Sequence, residues 1–427
     1  MTAEIAVYNK SAVALAADSA VTISNQFGLN KINNGAEKLF QLSLNHPVGL
    51  MVYGCGDLCK VPWELVIKSY RKERKNQSFP TLREWADDFF SYLQNSEQII
   101  SKSMKDEHIY KYLENDVFRK ILETVAKELY PNEESIDKYY IKLNEYLLNV
   151  LESISNSDFF DDFVADDIDI AKHKITAFCN HLTNEMESEE SGIIKSINQN
   201  LIDFFAALVC KKNDIGNPTG IVIAGYGDNE YYPQIITFQL HGFLDKKLRK
   251  YKIDNKCDSG MDGAGVIPFA QEDEVSAFMS GCSHDLMSYL DDIYNECFRD
   301  ILNKISNIVK TEKFNKTNED NLINLIRNLI IEKKQETDNN IAICIRENFI
   351  DRVVSMIDFL PKKDMAYMAE SLVNLTAFKR KISDDSESVG GPIDVAVISK
   401  TDGFIWIKRK HYFTMELNNH FLSRNKS

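Results

Sequence analysis

Residues 2–20, TAEIAVYNKSAVALAADSA, read as two strands joined by a tight polar turn. Ile5-Ala6-Val7-Tyr8 is short and largely apolar, Asn9-Lys10-Ser11 supplies the turn, and Ala12–Ala17 is almost wholly apolar. An apolar run of six suits a strand covered on both faces, and a buried helical turn of that length has the same pattern. Working outward, Lys38–Leu42 and Val48–Tyr53 are further strand candidates around the polar Asn45-His46-Pro47. From about Asp57 the pattern turns helical, with Trp63, Val66, Ile67 and Tyr70 on one side of a helix. Thr81-Leu82-Arg83-Glu84 is a capping box that opens the next helix.

Residues 97–210 read as helical and acidic. Leu151–Ile170 holds seven acids and no lysine or arginine, yet lacks the ligand spacing of a calcium loop, so a solvated face is expected there. Strands return at Gly220–Tyr226 and Gln234–Leu240, helices over 271–360, and a helical stripe at Met365, Met368, Ala369, Leu372 and Val373. Ile393–Ser399 and Phe404–Ile407 form a last hairpin around Thr401-Asp402-Gly403. The order strands, helices, strands, helices, strands suits sheets packed between helical layers better than a βαβ repeat.

The 427 residues carry a formal net charge of -14. This disfavours duplex nucleic acid and anionic membranes as partners. No apolar run approaches a spanning length. The Met-Thr-Ala-Glu start lacks the basic and apolar regions of a secretory signal. The eight cysteines are scattered, without a CxxC pair, and read as reduced thiols of a cytoplasmic protein. No metal and no organic cofactor are expected. Cys282-Ser283-His284 is a poor nucleophile–base pair, since sequence neighbours seldom have the needed geometry. Ser259–Gly265 is glycine-rich without the lysine of a phosphate loop. Tyr139, Tyr140, Tyr146, Phe159 and Phe160 read as core or interface.

Three residues could carry chemistry. Removal of Met1 would free the α-amino group of Thr2, whose ordinary pKa of roughly 7.7–8.0 suits a general base. One residue then supplies nucleophile and base together. Lys38 would stabilise the developing alkoxide, and Asp18 would hold that lysine charged and oriented.

Thr2-Ala3-Glu4-Ile5-Ala6-Val7, Ala14-Leu15-Ala16-Ala17-Asp18-Ser19, Glu37-Lys38-Leu39-Phe40-Gln41-Leu42 and Gly49–Asp57 (GLMVYGCGD) occur in that order. This order resembles the opening of proteasome β-subunits and of the bacterial HslV peptidase, which are N-terminal-nucleophile hydrolases. GIVIAGY at 220–226, MDGAGVIPF at 261–269 and GGPIDVAVI at 390–398 are similar to the family's later segments. The resemblance implies an α+β fold, a four-layer αββα sandwich, with helical insertions at 97–210 and 271–360. Core segments would then be 1–96, 211–270 and 361–427.

It further implies threonine-type peptidase activity with Thr2, Asp18 and Lys38 as catalytic residues. The oxyanion donor would be the Gly54 N–H, with Tyr53 as the alternative. Val21 and Met51 would line the substrate site. Lys31 competes with Lys38 for the lysine position. The implied substrate is a peptide or unfolded protein, and the implied assembly a homo-oligomeric ring with an ATPase unfoldase or a dedicated partner. Two family serines are replaced, by Ala264 and Val389, with Asp384, Asp385, Ser386 and Ser388 as nearby substitutes. An amidase acting on a small molecule and a non-catalytic scaffold therefore stay open.

Overall fold

The computed structural model describes residues 3–24, 30–129, 135–184, 186, 192–253, 263–311, 316–382 and 389–418. The first elements are β1 (Ala3–Asn9), β2 (Ala12–Ala17), β3 (Val21–Ser24), β4 (Asn30–Asn33), β5 (Leu39–Gln41) and β6 (Val48–Gly54). There follow β7 (Asp57–Leu58), β8 (Val61–Pro62), α1 (Trp63–Arg74), α2 (Leu82–Asn95), α3 (Lys102–Lys111) and α4 (Arg119–Leu129). Next come α5 (Ile136–Ser155), α6 (Asp166–Thr183), α7 (Ile193–Cys210), β9 (Thr219–Gly225), β10 (Gln234–Leu244) and β11 (Lys247–Ile253). The chain continues with β12 (Gly265–Ala270), α8 (Asp273–Ser280), α9 (His284–Thr311) and α10 (Lys316–Ile345). It closes with α11 (Asp351–Ile357), α12 (Lys362–Ile382), β13 (Asp394–Ser399) and β14 (Gly403–Lys408). The fold is α+β, with antiparallel strand pairing throughout the two main sheets wherever the register is described.

Two compact units divide the chain. One comprises Met1–Gly35, Ser259–Val397 and Ile407–Ser427; the other Ala36–Asp258 and Ile398–Trp406. The first unit is built on a sheet of order β12-β1-β2-β13-β14. Every residue of β1 and β2 is buried, which is why 12–17 carries no outward polar alternation and forms a strand rather than a helical turn. Ile5, Val7, Ala14 and Ala16 pack with Met365, Ala369 and Val373 of α12 in one core. The alanines of β2 let that helix approach closely. β12 carries Pro268 opposite Ile5, and proline is tolerated there because β12 is the edge strand.

The second unit has a sheet of order β11-β10-β9-β6-β5. Leu50, Val52, Ile221, Ile223 and Phe238 meet Val66, Tyr70, Trp85 and Phe89 of α1 and α2 in its core. The hydroxyl of Thr81 accepts the Glu84 N–H at 3.3 Å, as the capping pattern predicts. The second half of that cap comes from elsewhere: the Glu230 carboxylate takes the N–H groups of Leu82 (2.9 Å) and Gly227 (2.7 Å). A small hairpin, β7–β8, precedes α1, so the helix begins at Trp63 rather than near Asp57.

Helices α3 to α7 bury a separate core that includes Leu113, Val125, Leu143, Ile175, Leu201 and Phe205. Tyr140 and Phe160 lie in it, with Tyr139, Tyr146 and Phe159 packed against it. Among the described residues, α7 is the one helix whose length and composition would allow a membrane crossing, and 56% of it is buried in this core.

Most of the acidic stretch is the solvated face expected, with Glu152, Asp158, Asp162, Asp166 and Asp169 exposed, but part of it is docked. Asp167 is 4% exposed and takes Lys247 Nζ with both oxygens, at 2.9 and 2.8 Å. Asp161 and Asp162 lie 3.7 and 3.2 Å from Lys250 Nζ. Both lysines belong to β11, so that strand anchors Asp161, Asp162 and Asp167.

Candidate active site

Asp18 follows β2 and is fully buried. Its Oδ1 accepts the Ala3 N–H at 3.1 Å. Its Oδ2 accepts the N–H groups of Ala20 (3.2 Å) and Gly390 (3.0 Å). The Asp18 N–H in turn donates to the Ala3 carbonyl at 3.1 Å. One carboxylate thereby fixes the start of β1, its own following turn, and the Gly390 loop that leads into β13. The loop is held from its other side as well: the Ser19 N–H donates to the Gly390 carbonyl at 3.1 Å, and the Ser19 hydroxyl to the Pro392 carbonyl. Thr2 lies outside the described residues, as do Asp384, Asp385, Ser386 and Ser388. Ala3, its neighbour, is the residue that Asp18 grips.

In the second unit, Lys38 immediately precedes β5 and is 4% exposed, and its carbonyl accepts the Val52 N–H at 2.9 Å. Lys31 is an exposed residue of β4. Met51 is fully buried beside Leu39 and Val222. Val21, at the start of β3 in the first unit, is half-buried opposite Asn33. Gly54 ends β6 with φ +80°, and a Cβ there would come within 2.4 Å of the Pro218 carbonyl oxygen. Glycine is therefore required by the backbone path at 54, whatever its N–H does. Gly56 has open space around it, so the turn does not depend on it.

Ala264 and Val389 are 5% and 6% exposed and belong to the apolar core of the first unit. Ser283 serves α9 as its cap, its hydroxyl accepting the Leu286 N–H at 3.2 Å. Among the described residues no group of three or more His, Cys, Asp or Glu side chains could hold a metal ion.

Beside the Gly54 turn the second unit has a cleft lined in part by Cys55, Asp57, His108, Asp116, Thr219 and His241. Burial pushes the Cys55 thiol up and the His108 imidazole down, so both are held neutral. His241 is pushed down to about 3, by burial first and by the Arg249 guanidinium second. An unfolded chain takes up a proton on histidine near pH 6.5, while the folded one leaves His241 neutral until about pH 3. Stability is therefore lost as pH falls below 6.5, and this residue alone accounts for about 2 kcal/mol by pH 5. Urea denaturation at pH 7 and pH 5 checks this: His241→Gln should flatten the decline by that amount.

No protein-family model matches the chain, and no curated protein matches it significantly.

Proposed function

We propose that this chain is a cytoplasmic N-terminal-nucleophile hydrolase of the proteasome and HslV type, a threonine peptidase built as an αββα sandwich with two helical insertions. The observation that carries the reading is the Asp18 carboxylate, buried and locked onto the backbone N–H of Ala3, the residue after Thr2. With three N–H donors to compensate its burial, this carboxylate holds the residue after Thr2 in one place, as a nucleophile at position 2 would need. The burial of Lys38, against the exposure of Lys31, supports the assignment of the lysine.

In the proposed reaction Thr2, freed of Met1, attacks the substrate carbonyl through its hydroxyl. The α-amine takes the hydroxyl proton and returns it to the leaving amine, leaving an acyl ester on Thr2. Water then adds, with the same amine as base, and releases the acid. Lys38 would stabilise the alkoxide, and the Gly54 N–H the oxyanion, a contribution of about 2.7–4 kcal/mol for such a donor. Peptides or unfolded proteins are the substrates in this reading, with a homo-oligomeric assembly and an ATPase unfoldase or dedicated partner.

Intact-mass analysis tests it directly. The purified chain should lack Met1 and gain one adduct from a peptide epoxyketone or vinyl sulfone. The adduct should vanish in Thr2→Ala and fall at least a hundredfold in rate in Lys38→Ala. Retained Met1, or an adduct unchanged in Thr2→Ala, would rule Thr2 out. The apolar Ala264 and Val389 favour a second reading, a non-catalytic scaffold with the same fold. That reading predicts a trimmed N-terminus that forms no adduct.

A further inference from the structure

Helices α9 and α10, of 28 and 30 residues, run antiparallel, tied by the Asp291–Lys334 ion pair at 3.2 Å. Over their described length Val309 is the one large apolar side chain that is deeply buried, at 6% exposure. Even seam residues such as Leu290, Leu302, Ile326 and Ile330 are only half-covered. A second apolar stripe runs along α9 through Leu286, Ile293, Cys297, Ile301 and Ile308, all exposed. Leu322, Leu325 and Leu329 form its exposed counterpart on the first part of α10, with Ile343 standing alone beyond Glu332, Glu336 and Asn340. At 3.6 residues per turn each stripe is displaced from its helix's seam by a quarter turn or a little more, in the same rotational sense. For antiparallel helices this puts both stripes on one face of the hairpin.

Two features say what covers that face. First, the α9 stripe is symmetric about Cys297: Leu286 and Ile308 are equidistant from it in sequence, as are Ile293 and Ile301. A two-fold axis at Cys297 would pair each member with its mate on an identical helix running the other way. Second, the charge is self-complementary in that direction alone. Residues 284–296 carry Asp285, Asp291, Asp292 and Glu296 with no lysine or arginine, whereas Arg299, Lys304 and Lys310 follow in the next half against Asp300. Asp291 is already held by Lys334 within the hairpin; parallel packing would set the other three acids against each other, and antiparallel packing sets them against the basic half.

We propose that this face is the interface with a second copy of the chain, closing as a two-fold antiparallel four-helix bundle centred on Cys297. A helix of 28 residues is about 42 Å long. Two side by side present a face about 20 Å wide, hence roughly 800 Å2, the area each partner of a stable complex contributes. The inference is independent of the proposed catalysis, since it rests on the hairpin alone.

Sedimentation velocity at micromolar concentration, together with cross-linking by a short bismaleimide, tests it. The wild-type chain should sediment as pairs of the 48.9 kDa protomer and cross-link through Cys297. Cys297→Ser should abolish the cross-link and keep the dimer. The double variant Ile293→Asp/Ile301→Asp should halve the particle mass with unchanged helix content, because both side chains are exposed in the protomer. A monomeric wild type, a particle mass unchanged by the double variant, or a dimer that fails to cross-link at Cys297 would overturn the proposal.

Discussion

Asp18→Ala should destabilise the folded chain by roughly 3–5 kcal/mol, read as a drop in the guanidinium midpoint, because it strands two buried backbone donors and a part-buried one. An aspartate on the surface would cost less than about 0.5 kcal/mol on the same change. Asp18→Asn separates the contributions. One of its side-chain atoms must become a donor, and that atom then faces either the Ala3 N–H or the pair from Ala20 and Gly390. The asparagine variant should therefore fall between wild type and alanine in stability. Under the proposed chemistry it should also lose most Thr2 adduct formation, since the start of β1 is no longer gripped on both sides of the turn.

The second large effect is expected at Arg249. This guanidinium is completely buried and donates to the carbonyl oxygens of Val209 (3.0 Å), His241 (2.9 Å) and Leu208 (3.3 Å). It also lies 5.1 Å above the Tyr112 ring and 5.3 Å from the Phe160 ring. Burial pushes its pKa down, and the positive charge is favoured by its place at the C-terminal end of α7, where carbonyls lack helical partners. A hydrophobic replacement of a buried ion pair can be neutral when both charges go. Here the acceptors are main-chain carbonyls that no substitution removes. Arg249→Met should thus lose about 3–5 kcal/mol, with hydrogen exchange rising first at Leu208 and Val209. Arg249→Lys should recover only part of this, since one ammonium cannot reproduce the planar fork.

Much of the fold was legible wherever apolar period and burial coincide. Residues 12–17, 48–53, 220–225 and 394–399 lie in strands of the main sheets, and the stripe from Met365 to Val373 lies on α12. Two strands were hidden for identifiable reasons. Lys247, Arg249, Lys250 and Lys252 mask the alternation of β11; Lys247 and Lys250 are answered by acids 80 or more positions away, and Arg249 in part by carbonyls about 40 positions away. Pro268 disguises β12, whose edge position makes proline acceptable. The same separation hid the pairing of Asp167 with Lys247, 80 positions apart, within a stretch whose other acids are mostly exposed as expected. At the candidate site Lys38, which the following Leu-Phe-Gln-Leu already favours over Lys31, is buried while Lys31 is exposed. The grip of Asp18 on Ala3, Ala20 and Gly390 left no trace in composition, because its partners are backbone N–H groups that any residue but proline supplies.

The division of the chain also sets an order of events during synthesis. The second unit is nearly continuous, from Ala36 to Asp258. The first needs residues 3–35 together with 259–397, so β1 can pair with β2 at once but gains β12 only when Gly265 has been made. At ribosomal speeds of about 5–20 residues per second that interval lasts roughly 10–50 s. Throughout it the start of β1 has no edge partner and no Gly390 loop to enclose it. Under the proposed chemistry, an enzyme that trims the chain ahead of Thr2 would have at least that window in which to act.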